Sequence, residues 1–194
     1  MSKPKLGYLL FDLPSDHEVE EALATECKVI ESLIHNMRLK ARVKRVCVAS
    51  IEKFTKYPTY RYQVQFVHLA CHGGKDGIGM LGGTMRWTEV ARQITKHLHK
   101  LKDDQKRVMV FSCCHSSDGF HATRMALKDY FTGAYYFSSE TVSFSDAITI
   151  WTMFYRNKRL AKPHGAIVKV INEFLGKNLL VFRSYEMQST VQPP

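Results

Sequence analysis

The chain of 194 residues has no long apolar run, and this excludes one class of protein. A helix that crosses a bilayer needs about 18 or more consecutive apolar residues, and charged or turn-forming residues interrupt every stretch well before that length. The first apolar run is closed early by Asp12 and Pro14, which is too brief for a secretory signal. We therefore expect a cytoplasmic protein that does not associate with membranes.

Cysteine is scarce and odd in number. Five cysteines cannot all pair in disulfides, and without a secretory segment we expect the thiols to stay reduced. The chain also lacks the Cys-x2-Cys knuckle that is common in structural zinc sites. The cysteines are therefore free to carry other chemistry.

Acidic residues are in the minority. The chain has 18 Asp and Glu against 28 Lys and Arg, a formal net charge of +10. The basic residues are dispersed over segments such as Arg38–Arg45, Lys96–Arg107 and Arg156–Lys162 and are not gathered in one arm. Most are expected on solvated helix faces. The excess of positive charge leaves open a docking surface for an acidic protein or a nucleic acid. We expect the partner to be a protein.

No internal repeat, linker or low-complexity tract divides the chain, and 45% of its residues are hydrophobic. We expect a single domain over residues 1–194. Apolar, β-branched runs alternate with segments of helical periodicity. This alternation predicts a three-layer α/β/α sandwich with a mainly parallel central sheet of about six strands. The strands are predicted to begin near Leu6, Val43, Tyr62, Val108, Gly133 and Leu179, the third of them ending at Ala70, with a hairpin around Gly82 and Gly83 and an irregular connection over Lys53–Tyr62. Ser15 is the predicted N-cap of the helix after the first strand.

Two of the predicted strands end in residues that carry chemistry. The run Val64–Gly74, VQFVHLACHGG, ends in a histidine and two glycines, and the run Val108–Gly119, VMVFSCCHSSDG, contains paired cysteines. The carboxyl ends of neighbouring parallel strands meet at one edge of a sheet, so His72 and Cys114 are predicted to lie together. Because a cysteine nucleophile needs a base to form its thiolate, the pair predicts a Cys-His dyad.

The histidine of this dyad has two rivals, His68 and His115. His72 is favoured because Gly73 and Gly74 follow it, and a close approach of the backbone to a substrate suits residues without a Cβ atom.

The cysteines separate by their position in the predicted elements. Cys27 and Cys47 are expected to be core residues of a helix and a strand. Side-chain alternation in a strand places Cys71 on the face opposite His72, which also indicates a structural role. Cys113 and Cys114 face opposite ways if the strand persists that far, so Cys113 stays the alternative nucleophile.

The motifs HLACHGG and VFSCCHSSDG, the hairpin between them and the later segment Gly133–Leu160 resemble the caspase-like cysteine peptidases of the CHAT type. The resemblance covers roughly residues 5–184. It implies that Cys114 is the nucleophile and His72 the base, and that the main-chain N–H groups of Gly73 and Cys114 bind the oxyanion. No metal or organic cofactor is implied. The caspase form Gln-Ala-Cys-Arg-Gly is not matched around Cys114, so aspartate specificity does not follow.

The function implied is that of a cysteine endopeptidase that cleaves a protein or peptide substrate. We expect regulation by a protein partner, since CHAT-type peptidases are commonly joined to sensor regions. The glycine-rich stretch Gly73–Trp87 is also costly in entropy to order, and an acidic partner would suit the net charge. The specificity pocket is not assigned. The acidic residues near strand ends that are candidates for it are Asp12, Asp118, Glu140 and Asp146.

Two other functions stay open. The first is a catalytically inactive adaptor on the same fold, which would bind a protein or a nucleic acid through the basic surface. The second is a zinc-stabilised binding domain, since thiolate and imidazole are the ligands that zinc prefers. Its candidate ligands are His68, Cys71, His72, Cys113, Cys114 and His115.

Overall fold

The computed structural model describes residues 7–14, 17–37, 41–59, 62–102, 105–138 and 141–185, with only the backbone for residues 17–24 and 159. Within these ranges no helix combines the length and apolar character that a bilayer crossing requires. The strands are β1 Gly7–Leu13, β2 Arg42–Cys47, β3 Phe66–Gly74, β4 Gly77–Met80, β5 Gly83–Arg86, β6 Val108–Ser112, β7 Gly133–Phe137 and β8 Leu180–Ser184. The helices are α1 His17–Asn36, α2 Ile51–Lys56, α3 Trp87–Lys96, α4 Phe120–Leu127, α5 Phe144–Arg159 and α6 His164–Leu175.

The main sheet has the strand order β2-β1-β3-β6-β7-β8. All neighbours along it are parallel except β7 and β8, which are antiparallel. The hairpin of β4 and β5 joins the sheet through an antiparallel pairing of β4 with the end of β3. The predicted mainly parallel sheet of about six strands is therefore confirmed, and β3 and β6 are neighbours in it as the dyad requires.

Side chains on the two faces of the sheet build two separate cores. One core combines residues such as Leu69 and Phe111 with α2, α3 and α4, and the other combines residues such as Ala70 and Val110 with α1, α5 and α6. Neighbouring residues of one strand belong to different cores because successive side chains of a strand point to opposite faces. Helices thus cover both faces, which gives the three layers.

Two predicted boundaries are wrong. The segment expected to be an irregular connection begins inside helix α2, which is capped by the Ser50 hydroxyl and buries Phe54 completely. Strand β3 does not stop near Ala70 but continues to Gly74, because β4 supplies a pairing partner for its last residues. The N-cap predicted at Ser15 lies outside the described residues.

The glycine-rich stretch after β3 is ordered secondary structure. Its predicted hairpin is present, with Gly82 and Gly83 at the turn at φ of 102° and 122°, a region that glycine enters without strain. The Leu81 backbone at the tip pairs with Ala49 and Ile51 across from it. The hairpin is therefore held at both its base and its tip.

Arg107 joins three connections at the amino-terminal edge of β3 and β6. It is 3% exposed, and its guanidinium donates hydrogen bonds to the carbonyl oxygens of Val64 at 2.8 Å, His99 at 2.9 Å and Tyr130 at 3.0 Å. Burial lowers the pKa of Arg107 to about 10, so the group stays charged at neutral pH. One side chain thereby satisfies three carbonyls that the edge of the sheet leaves unpaired.

We expect Arg107→Met to lower the free energy of unfolding by about 3 kcal/mol, because it leaves three acceptors unpaired in a buried setting. Urea unfolding followed by circular dichroism measures this. Lys106→Met is the matched control, since Lys106 is exposed and its loss should change stability by less than about 0.5 kcal/mol. Equal stabilities of the two variants would contradict the bridging role of Arg107.

Candidate active site

Strand β6 ends at Ser112, and the chain then enters a tight turn that separates the two neighbouring cysteines. Cys113 is 2% exposed and belongs to the core on the α3 side of the sheet. Its sulfur lies 2.9 Å from the sulfur of Cys71, a residue of β3 that is 3% exposed. Cys71 and Cys113 each follow the last residue through which β3 and β6 pair. Burial raises the pKa of the Cys113 thiol well above its usual value. Cys113 is therefore a poor source of thiolate at neutral pH.

Cys114 points the other way. It is half-buried and packs against the core on the α5 side. Its sulfur makes two hydrogen bonds with the main chain of Val142, accepting from the N–H at 3.4 Å and donating to the carbonyl oxygen at 3.7 Å. Cys114 is thus the thiol of this pair that solvent reaches.

The turn after Cys114 is held by a strained residue and a buried one. His115 has φ of 56°, a left-handed conformation that is uncommon outside glycine. Ser116 is fully buried, and its hydroxyl accepts a hydrogen bond from the Phe137 N–H at 2.8 Å. That bond links the turn to the end of β7, the strand that leads toward Val142.

His72 lies on the exposed end of β3, paired with Gly79 of the hairpin. In the described part of the chain its imidazole makes no hydrogen bond to the sulfur of Cys114. The structure therefore brings the two residues to adjacent strand ends without joining their side chains. Catalytic hydrogen bonds often tighten only when substrate binds, and this arrangement is of that kind.

Gly73 lies directly against the turn that carries the two cysteines. A Cβ atom at this position would stand 2.0 Å from the carbonyl oxygen of Cys114 and 2.8 Å from Cβ of Cys113. No side chain fits that space. The backbone that follows His72 therefore packs directly on the backbone of the cysteine turn, and this contact sets the spacing between the histidine and the thiol.

The rival histidines occupy different surroundings. His68 is fully buried, with Nε2 2.7 Å from the Glu26 carboxylate and Nδ1 3.1 Å from the Tyr155 hydroxyl. Both of its ring nitrogens are engaged, and no substrate can reach them. His115 instead has Nδ1 3.5 Å from the Asp118 carboxylate.

The six candidate zinc ligands are divided between the two faces of the sheet. Cys71 and Cys113 lie in the core on the α3 side, whereas His68 contacts Trp151 and Tyr155 of α5 on the opposite side. Over the described ranges, no group of three or more His, Cys, Asp or Glu side chains is arranged to hold a metal ion.

Each acidic candidate for a specificity pocket among the described residues has its own surroundings. Asp12 is fully buried at the end of β1, where it faces Cys27. Asp118 lies beside His115, and Asp146 in the first turn of α5 lies 3.5 Å from Lys177. Glu140 is outside the described residues.

One expectation about the cysteines is wrong, and one participant in the site was missed. Cys27 is buried as expected, but Cys47 is exposed, because β2 is an edge strand that no helix covers fully. Val142 carries no chemical signal in its side chain, since it acts through its main chain. Only the path of the segment between β7 and α5 brings it to the cysteine.

No protein-family model and no curated protein matches this chain. Among solved structures, it is similar to iotapain, a secreted C11 cysteine protease from Bacteroides thetaiotaomicron, with a TM-score of 0.61 and 13% sequence identity. The match covers 95% of this chain and 67% of that one. At this identity the likeness establishes the fold alone, and the CHAT type stays a prediction. The caspase-like three-layer α/β/α fold predicted from the sequence is confirmed.

Proposed function

We propose that this protein is a cysteine endopeptidase in which Cys114 is the nucleophile and His72 its catalytic partner. The observation that carries the proposal is the opposite placement of the two cysteines: Cys113 is sealed in the core, and Cys114 is accessible beside the His72 strand end. The fold likeness to a cysteine protease supports the same reaction class.

The reaction begins when the Cys114 thiol passes its proton to His72 and the thiolate attacks the carbonyl carbon of the scissile peptide bond. The tetrahedral intermediate carries its negative charge on oxygen, and the main-chain N–H groups of Gly73 and Cys114 are proposed to bind it. Collapse of the intermediate expels the amine, which takes this proton from His72, and leaves a thioester on Cys114. Water then attacks the thioester and gives one proton to His72, the acid product leaves, and His72 returns the proton to Cys114.

The position of His72 suits a role as proton donor to the leaving amine. It is exposed on the strand end next to the thiol, so a substrate bound over Cys114 comes within its reach.

The other two functions have less support. A zinc-stabilised domain would need its ligands on one face, and they lie on two. An inactive adaptor on the same fold is the outcome to which failure of the catalytic test below would point.

We expect Cys114→Ala and His72→Ala each to lower peptide cleavage by about 10⁴-fold or more, because each removes a group that takes part in bond breaking. Cleavage of a peptide library, read by mass spectrometry, measures this. Both residues contribute little buried surface, so thermal unfolding should be almost unchanged.

Cys113→Ala is the matched control for the dyad test. It removes a buried thiol next to the nucleophile and should lower stability modestly while cleavage persists. Loss of cleavage in Cys113→Ala with retention in Cys114→Ala would transfer the nucleophile to Cys113. An unaltered protein that cleaves nothing, with no covalent adduct from a thiol-reactive peptide probe, would favour the adaptor.

We expect Gly73→Ala to lower kcat/KM by about 10²-fold or more, because the added methyl group must push the backbone at Cys114 away and misplace the oxyanion donors. Gly74→Ala is the control one residue further on, where a Cβ atom would meet only the Gly77 carbonyl oxygen at 3.9 Å, an ordinary contact. Equal kcat/KM values for the two variants would show that the close approach does not matter for catalysis.

Regulation by an acidic protein partner is a further part of the proposal. The hairpin is ordered and anchored, so the argument for regulation from an unformed loop is lost. Regulation by an acidic partner therefore rests on the net charge of +10.

We expect polyglutamate, as the simplest acidic probe, to raise peptide cleavage several-fold at low salt. The effect should vanish near 1 M salt, where the screening length falls to about 3 Å. Polylysine of equal length is the control. Cleavage that neither polyglutamate nor salt changes would contradict regulation through charge.

A further inference from the structure

The Cys114 sulfur is hydrogen-bonded to one residue that has no part in the proposed reaction, Val142. In the described part of the chain both of its hydrogen bonds are to the main chain of Val142. A nucleophilic thiol needs something that favours its anionic form, and among the described residues His72 makes no hydrogen bond to the sulfur. The main chain of Val142 is the group in position to fill that role.

The two bonds respond differently to the protonation state of the sulfur. Only a neutral thiol can donate to the Val142 carbonyl oxygen, 3.7 Å away. The Val142 N–H, 3.4 Å away, donates to the sulfur in either state and more strongly to the thiolate. A hydrogen bond to the charged form of a group favours that form, so the N–H favours the thiolate.

The segment that carries Val142 is held in place from both sides. Upstream, the Phe137 N–H at the end of β7 donates to the buried hydroxyl of Ser116, in the same turn as the nucleophile. Downstream, the Ser143 hydroxyl caps α5 by accepting from the Asp146 N–H at 3.1 Å. The Val142 side chain itself is 9% exposed and packs in the core on the α5 side. The N–H is therefore fixed before substrate arrives.

The amino-terminal end of helix α5 follows shortly after Val142 in the chain. Val142 stands two residues before Phe144, the first residue of this 16-residue helix. The amino-terminal end of a helix carries a partial positive charge, and a thiolate nearby is stabilised by it. This acts in the same direction as the hydrogen bond from Val142.

We infer that Val142 is a positioning residue of the nucleophile. Its main-chain N–H stabilises the Cys114 thiolate and holds the sulfur in place. This inference rests on the proposed function, in which Cys114 is the nucleophile. The amide of Val142 stabilises the thiolate, and His72 carries the proton to the leaving amine.

Ionisable groups approach Cys114 from each of the three elements that meet there. By element, Cys71 and His72 belong to β3, Cys113, His115 and Asp118 to the cysteine turn, and Asp146, 3.5 Å from Lys177, to the first turn of α5. A change confined to the amide of Val142 leaves all of these groups in place. A difference between variants at this position therefore reports on the amide.

The test measures the rate at which iodoacetamide alkylates Cys114 across a range of pH, by peptide mapping. All proteins carry Cys47→Ser, because Cys47 is the other exposed thiol of the described residues. Two variants remove the N–H: Val142→Pro, and an ester in place of the amide at Val142, which keeps the side chain. Val142→Ala keeps the N–H and reports the effect of side-chain packing.

We expect both variants without the N–H to shift the midpoint of alkylation upward by about one pH unit and to slow alkylation at neutral pH roughly tenfold. Val142→Ala should keep the midpoint of the unaltered protein. The ester decides the matter if Val142→Pro fails to fold.

An unshifted midpoint in the ester variant would overturn the inference, even if Val142→Pro shifts it. Because alkylation needs no substrate, its outcome is separate from that of the proteolysis test. A shifted midpoint in a protein that cleaves nothing would keep the role of Val142 and remove the peptidase.

Discussion

The contact between Gly73 and the cysteine turn is the constraint on which the rest of the site depends. A glycine without a side chain lets the strand that carries His72 come so near the next strand that a methyl group would overlap the Cys114 carbonyl oxygen. Hydrogen bonding in the sheet brings β3 and β6 side by side, but it does not set how their ends meet. The site therefore follows from a small residue at one position in a sheet that is otherwise ordinary.

Strand alternation then sorts the thiols. The two strand ends each present one cysteine to the core on the α3 side, where the sulfurs of Cys71 and Cys113 face each other and burial raises the pKa of Cys113. The next residue at each strand end, His72 after Cys71 and Cys114 after Cys113, is turned away from that core. Reactivity is thus separated by a single position along the chain, because neighbouring residues lie on opposite sides of the sheet.

The end of β3, helix α2 and the exposure of Cys47 differ from what the sequence predicts. Strand β3 was predicted to stop before His72, yet it extends to Gly74 because the hairpin turns back and pairs with it. Pairing with a segment later in the chain is invisible to local periodicity. Helix α2 was missed because Phe54 is its single fully buried anchor and the segment around it is basic. The burial of Cys47 was wrong for a related reason, since strand order decides which strand is an edge.

The sequence by itself determined the alternation of strands and helices, the hairpin, and the two strand ends that bear His72 and Cys114, because these depend on periodicity and residue type over short distances. The tertiary structure alone decided that Cys113 is sealed and Cys114 accessible, that both ring nitrogens of His68 are engaged, and that the Val142 main chain meets the sulfur. Each of these depends on segments far apart in the chain, and a backbone amide has the same chemistry at almost every residue. Only the folded path of the chain distinguishes one amide from another.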